Sequence, residues 1–120
     1  MGRLIMTVDD SASMREMVRA TLVGAGYEVV EAVDGQEALD YARENPCDLV
    51  ISDVNMPRMD GITLVHELRS LPHYRLTPLL LLTTESSAEK KLEGKRAGAT
   101  GWIVKPFNPE QLLATMARVL

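Results

Sequence analysis

Apolar and polar positions alternate along the chain in two periods. Leu4-Ile5-Met6-Thr7-Val8 is a short run of the kind a buried strand requires. Ser13-Met14-Arg15-Glu16 reads as a capping box, and Met14, Met17, Val18, Thr21, Leu22 and Ala25 follow at helical spacing until Gly26. Residues 27–32 form a second strand, and Glu28 and Glu31 mark it as an edge. Asp34-Gly35-Gln36-Glu37 opens a helix that Asn45-Pro46 closes. Residues 49–53 are a third strand, apolar until its end. Leu64, Val65, Leu68 and Leu71 mark a helix ended by Pro72. Residues 78–82 are a fourth strand, Ser86-Ser87-Ala88-Glu89 caps a fourth helix, and residues 101–105 are a fifth strand. Asn108-Pro109-Glu110-Gln111 starts the last helix, with Leu112, Leu113, Met116, Val119 and Leu120 facing the core.

Strict alternation of five strands and five helices predicts an α/β fold: one parallel sheet, doubly wound, with helices on both faces. Near-continuous apolar central strands agree, because parallel strands are buried on both sides. At 120 residues the chain makes one domain, residues 1–120, with no linker or repeat. It stops after the fifth helix, which leaves no length for an effector domain.

Charge narrows the function. Seventeen acidic against thirteen basic residues give a net charge of −4, which disfavours nucleic acid and anionic membrane as partners. The one cysteine, Cys47, cannot close an internal disulfide, and no apolar run is long enough to span a bilayer or serve as a signal peptide. These features suggest a soluble, cytoplasmic protein.

In doubly wound sheets, ligands bind beyond the carboxyl ends of the strands. There the sequence puts Asp9-Asp10, Asp53, Thr83-Thr84 and Lys105-Pro106. Two carboxylates about 4 Å apart repel by about 4 kcal/mol at an effective dielectric near 20, so an acid cluster needs a counter-charge. A hard cation such as Mg²⁺, with its preference for carboxylate and carbonyl oxygen, supplies one. His66 and His73 have no second ligand at metal spacing and read as surface histidines. Cys47 has no partner base and reads as packing, as do the methionines; Gly98 and Gly101 read as turn glycines around the fifth strand. The fourth helix is odd. It has few apolar anchors, an internal Gly94 that costs about 1 kcal/mol relative to Ala, and the basic residues Lys90, Lys91, Lys95 and Arg96. It reads as a soft element suited to an acidic partner.

Asp9-Asp10, the stretch from Asp53-Val54-Asn55-Met56-Pro57 to Arg58-Met59-Asp60-Gly61, then Thr83, then Lys105-Pro106 occur in order along the chain. On these residues the sequence resembles the response-regulator receiver domains of two-component systems over its whole length. Thr83-Thr84-Glu85-Ser86-Ser87 and the run from Gly98 to Phe107 resemble the single-domain chemotaxis regulators of the CheY type. The resemblance implies the strand order 2-1-3-4-5, which such regulators exemplify. It implies Asp53 as the acceptor of a phosphoryl group from a kinase phosphohistidine. A carboxylate is ionised at neutral pH and needs no general base for this step. It implies Mg²⁺ on Asp10, Asp53 and the backbone carbonyl of Asn55, with Asp9 acting through water. It further implies Lys105 and Thr83 as phosphoryl ligands, a cis Lys105-Pro106 peptide, and Asn55 and Glu85 flanking the water that hydrolyses the phosphoryl group. Trp102 stands where the family carries a switching Tyr or Phe; three residues before Lys105, it points to the other side of the strand. Its indole N–H calls for a partner when buried, which favours partial repacking over a full inward swing. Lys90, Lys91, Lys95 and Trp102 would belong to an output face of the fourth helix, fifth strand and fifth helix.

The implied protein is a monomeric regulator, not an enzyme beyond its own phosphorylation and dephosphorylation. Its partners would be a CheA-like histidine kinase, a flagellar motor switch protein or another protein target, and a phosphatase. A phosphate sink or relay intermediate without an output partner is the close alternative. An aspartate-nucleophile phosphatase of the haloacid-dehalogenase type is disfavoured: it needs a second Asp two residues after the first, where Asn55 stands. A flavodoxin-type flavin carrier is rejected because Asp9-Asp10 would repel the flavin phosphate, and a DNA-binding regulator because no helix-turn-helix follows.

Overall fold

A computed structural model describes residues 2–120. Its strands are β1 (Leu4–Val8), β2 (Glu28–Ala32), β3 (Leu49–Ser52), β4 (Leu79–Thr83) and β5 (Gly101–Val104). They alternate with α1 (Ala12–Gly24), α2 (Gly35–Glu44), α3 (Gly61–Arg69), α4 (Ala88–Ala97) and α5 (Pro109–Val119). Every strand pair is parallel, and the order is β2-β1-β3-β4-β5. The anticipated doubly wound sheet is present, with β2 and its Glu28 and Glu31 at an edge.

Successive side chains on a strand point to opposite faces, so the sheet divides the core in two. Met6, Val8, Val50, Leu79 and Leu81 pack against Ala38, Leu39 and Ala42 of α2 and Leu64, Val65 and Leu68 of α3. Ile5, Leu49, Ile51, Leu80 and Leu82 pack against Val18 and Leu22 of α1 and Leu112 and Met116 of α5. β3 and β4 are buried at every position.

Several boundaries differ from the pattern-based expectation, each for a local reason. The cap of α1 is Ser11, not Ser13. Asp9 Oδ1 accepts the Ser11 N–H at 2.9 Å and turns the chain early, so Ser11 Oγ takes the Met14 N–H. Ala25 accordingly lies just beyond the helix as its C-cap. Asp60 caps α3 by accepting from the Thr63 N–H at 2.7 Å, a start the apolar pattern left open. That helix ends at Arg69 rather than Leu71, and Pro72 begins a 3₁₀ turn, Pro72–Tyr74. β3 and β5 stop one residue before Asp53 and Lys105, and β4 is shifted by one to include Thr83. Gly98 is the left-handed C-cap of α4, whereas Gly101 is the first residue of β5 and not a turn. The methionines are not uniformly core: Met6 and Met116 are buried, but Met17 is 56% exposed, because the buried stripe of α1 runs through Val18 and Leu22.

Two polar ties hold the end of the molecule opposite the strand tips. The buried Tyr74 hydroxyl accepts from the Cys47 N–H and donates to the Asn45 carbonyl, both at 3.1 Å. Arg69 donates to the carbonyls of Tyr74 and Thr77, each at 2.7 Å, and to that of Gly98 at 3.0 Å. It therefore links α3, the turn before β4 and the end of α4. No carboxylate lies within ion-pair distance of Arg69 among the described residues.

Removing the Tyr74 hydroxyl leaves the buried Cys47 N–H unpaired and takes one donor from the half-buried Asn45 carbonyl, at about 1–3 kcal/mol. Tyr74→Phe is expected to lower the urea midpoint by the corresponding amount without changing the m-value. A midpoint equal to wild type would show that water satisfies both groups.

Candidate functional site

Parallel register assembles the site. Val8 of β1 pairs with Ser52 of β3, so the residues that follow, Asp9 and Asp53, leave the sheet side by side. The Asp53 N–H donates to the Val8 carbonyl at 2.8 Å, and the Asp9 N–H to the Ala32 carbonyl at 3.1 Å. On the other flank, the Lys105 N–H donates to the Thr83 carbonyl at 2.8 Å. Each key residue thus sits one step past its strand while its backbone still extends the ladder.

The side chains converge on one ammonium. Lys105 Nζ lies 2.8 Å from Asp9 Oδ2 and 3.1 Å from Asp53 Oδ2, and its side chain is only 9% exposed. Burial acts to lower the lysine pKa, but the hydrogen bonds and charges of Asp9 and Asp53 outweigh it and raise the pKa. Lys105 is therefore cationic at neutral pH. Its peptide to Pro106 is cis.

Three carboxylates against one ammonium leave the cluster anionic. One oxygen each from Asp9, Asp10 and Asp53 lies within 4.8 Å of the others. Oxygens sharing one Mg²⁺ stand at most about 4.2 Å apart, so a small contraction, or reach through water, suffices. Asp10 is exposed, and Asp53 Oδ1 accepts only the Val54 N–H, at 2.6 Å. Both Asp9 oxygens are engaged, Oδ1 by the Ser11 N–H and Oδ2 by Lys105. The donor set fits a hard divalent cation, with Asp9 the least free to bind directly.

From the tip of β4 a polar relay runs outward. Thr83 is fully buried, and its Oγ1 accepts the Glu85 N–H at 3.2 Å. The Glu85 carbonyl accepts the Trp102 indole N–H at 3.0 Å. The indole N–H of the half-buried Trp102 thus has its partner. Trp102 packs with Leu81 and Ala97, on the face away from Ile103. Gly94 of α4 lies flat against this ring: a Cβ there would approach Trp102 Cζ3 to 2.9 Å. The glycine that looked like a weakness in α4 is a socket for the indole.

The loop after Asp53 is fastened in ways the motif did not reveal. Arg58 adopts φ 65°, the one positive φ outside glycine among the described residues. Its guanidinium forks onto Asp34, Nε to Oδ2 at 2.7 Å and Nη2 to Oδ1 at 3.1 Å. Asp34, 4% exposed, also caps α2 through the Glu37 N–H. The Arg58 hydrogen bond, followed by that N–H, holds the Asp34 carboxyl below the usual carboxylate range. Gly61 lets the start of α3 touch the Asp53 carbonyl, where any Cβ would collide. Behind Asp9, Arg15 donates to the Asp9 carbonyl and pairs with Glu31 at 3.1 Å. The Asp34 cap was legible at local spacing, but the Arg58–Asp34 fork joins residues 24 apart, so residue spacing carried no sign of it.

The remaining candidates lie apart. Asn55 is exposed and Glu85 half-buried, on the two loops that flank Asp53 and Thr83. Lys91 and Lys95 are exposed, while Lys90 is half-buried and 3.7 Å from Glu93. His66 and His73 are exposed, on α3 and the 3₁₀ turn, and neither belongs to the Asp9, Asp10 and Asp53 cluster. Cys47 is buried, and burial pushes its thiol pKa up.

Two outcomes follow. Millimolar Mg²⁺ is expected to raise the Tm of the wild type by several degrees and that of Asp53→Ala much less, read by differential scanning calorimetry; equal shifts would place the cation elsewhere. Gly94→Ala, which in an exposed helix gains about 1 kcal/mol, is expected here to lower the Tm and red-shift Trp102 emission. A stabilised variant with unchanged emission would show that the ring does not rest on Gly94.

Comparison with known proteins agrees with this geometry. The family model of the response regulator receiver domain matches residues 5–117. The Mycobacterium sp. (strain KMS) response regulator MprA is 42% identical over 116 residues, 97% of this chain and 50% of that protein. The chain thus spans about half the length of the curated relatives it matches. The chemotaxis protein CheY4 of Vibrio cholerae superposes with TM-score 0.95 at 56% identity, covering 100% of both chains. The receiver domain of the Pseudomonas aeruginosa sensor histidine kinase PA1611, solved with a magnesium ion coordinated in its active-site cleft, is 26% identical with TM-score 0.91, covering 98% of this chain and 97% of that one. Match length, strand order and the acid-lysine rim together lead to one conclusion: this chain belongs to the receiver-domain family of two-component response regulators.

Proposed function

We propose that this chain is a phosphorylation-switched regulator in which Asp53 takes a phosphoryl group from a phosphohistidine of a sensor kinase. The Lys105 ammonium between Asp9 and Asp53, one strand from the Thr83 hydroxyl, is the observation that carries this reading. Asp10, Asp53 and the Asn55 backbone carbonyl would hold Mg²⁺, with Asp9 contributing through water; the bound cation offsets charge on the phosphoryl oxygens. An Asp53 carboxylate oxygen attacks phosphorus as the P–N bond breaks and its electron pair returns to the imidazole. Lys105 faces the charge that accumulates on the transferring group. In the reverse sense, water attacks the phosphoryl group in line and the Asp53–phosphorus link breaks, with Asn55 and Glu85 orienting that water.

The same groups would carry the signal. When the Thr83 hydroxyl turns to the phosphoryl group, it gives up the Glu85 N–H. The loop it held carries the carbonyl that anchors Trp102. Trp102 and α4 repack together, which changes a surface of α4, β5 and α5 that includes Lys90, Lys91 and Lys95. Such a surface suits an acidic segment of a partner protein. The 56% identity to CheY4 favours chemotaxis signalling from a CheA-like kinase to the flagellar motor switch, in the cytoplasm. The chain itself acts on no substrate beyond its own phosphoryl group.

With a small phosphodonor and Mg²⁺, the intact mass should rise by one phosphoryl group in an acid-stable, base-labile form, and Asp53→Ala should show no adduct. Exchange of both Asn55 and Glu85 for bulky apolar residues should slow decay of the adduct about tenfold or more. Beryllofluoride with Mg²⁺ should shift Trp102 emission, and Thr83→Ala should blunt the shift. An adduct that persists in Asp53→Ala would overturn the assignment of the phosphoacceptor.

A further inference from the structure

We infer that Arg58 is a positioning residue of the acid site, acting through its fork onto Asp34 to hold the loop that carries Asn55. The inference rests on the proposed use of the site for Mg²⁺ and phosphoryl transfer. It concerns a residue that touches neither.

Two backbone hydrogen bonds close the loop 53–61 between β3 and α3. The Met59 N–H closes a tight turn onto the Pro57 carbonyl at 2.7 Å, and the Gly61 N–H returns to the Val54 carbonyl at 2.8 Å. Between these bonds lies Arg58, in a left-handed conformation that an L residue with a long side chain adopts only when its surroundings impose it. The surroundings here are the N-terminus of α2. The Gly35 N–H donates to the Met59 carbonyl at 3.1 Å, and the Asp34 carboxylate takes both arms of the Arg58 guanidinium. Asp34 is itself rigid: it is buried, it caps α2 through the Glu37 N–H at 2.8 Å, and α2 packs into the core through Ala38, Leu39 and Ala42. A planar bidentate pair fixes orientation as well as distance. The loop is therefore referenced to the core through α2, while Asn55 remains exposed and makes no side-chain hydrogen bond of its own among the described residues. The backbone carbonyl of Asn55 can meet a cation at the right place only if the loop is held from elsewhere.

Charge and position make opposite predictions for the same substitution. If Arg58 acted on the site only as a charge, its removal would strengthen cation binding, because a positive group near a cation site repels the ion. If Arg58 acts as a positioner, its removal weakens binding, because the loop carbonyl loses its fixed place. Glycine is the informative replacement. It accepts φ 65° without strain, so Arg58→Gly removes the clamp while sparing the backbone. Asp34→Asn tests the other half of the pair, since Asn caps a helix as well as Asp but lacks the charge that draws the fork.

The experiment is titration of the intact chain with MgCl₂ by isothermal calorimetry, alongside thermal unfolding without Mg²⁺ and phosphorylation by acetyl phosphate followed by intact mass. Arg58→Gly is expected to unfold within a few degrees of wild type and to bind Mg²⁺ about fivefold more weakly. Its phosphorylation at subsaturating Mg²⁺ should fall by a similar factor and recover largely at saturation. Arg58→Lys, which can make one of the two bonds, should fall between. In the Asp34→Asn background, Arg58→Gly should have little further effect, because the two residues act through one contact. Mg²⁺ binding by Arg58→Gly equal to or tighter than wild type would overturn the inference, as would full additivity of the two substitutions. If the wild type itself bound no Mg²⁺ and accepted no phosphoryl group, the proposed function would fail as well, so the two failures are told apart by the wild-type arm.

Discussion

One ammonium group between two carboxylates is the contact on which the rest of the site depends. The parallel ladder of β1 and β3 forces Asp9 and Asp53 to leave the sheet as neighbours, and no rearrangement short of breaking the register separates them. Lys105 arrives from the far side of the sheet because the β4–β5 pairing ends at Thr83 and Val104. The arrangement is balanced only in part, since Asp10 adds a third negative charge. The excess is useful: a site already neutralised by protein groups would have no affinity for a divalent cation, and one with no internal cation would repel itself apart.

Around that centre the fold divides labour between its two edges. Toward β2, the loops are tied down by charge: Arg15 to Glu31 and the Asp9 carbonyl, Arg58 to Asp34. Toward β5, the links are single hydrogen bonds through neutral groups, Thr83 to the Glu85 N–H and the Glu85 carbonyl to Trp102. A rigid side holds reactants in place, and a lightly bonded side can change partners when one hydroxyl finds a better acceptor.

How much of this the sequence disclosed depends on the range of each interaction. Apolar runs located the strands and apolar spacing most helices, because those faces are buried at local spacing. Cap and stop residues located α2 and α4, and the only buried residue of α4 is Gly94. The strand tips named Asp9, Asp10, Asp53, Thr83 and Lys105, because topology places ligand chemistry there. What escaped was set by contacts across the fold. Ser13 looked the better cap until the Asp9 carboxylate is seen turning the chain at Ser11. Gly94 scored as a defect because local helix propensity knows nothing of an indole eight residues later in the chain. Arg58 and Asp34 lie 24 residues apart with no periodicity to join them.

Arg69 gives the molecule a fastening that acid does not undo. All of its acceptors are carbonyls and the Thr100 hydroxyl, none of which titrates, so its hold on the ends of α3 and α4 does not change as carboxylates protonate. The Asp34–Arg58 fork behaves otherwise. The folded-state pKa of Asp34 is depressed, so its contribution is complete above the unfolded carboxylate value near about 3.9 and disappears as pH falls through the folded value. On acidification, therefore, the region beside α2 loosens while the junction of α3, β4 and α4 keeps its bonds. The fork beside α2 is the acid-sensitive fastening and the Arg69 junction the acid-indifferent one.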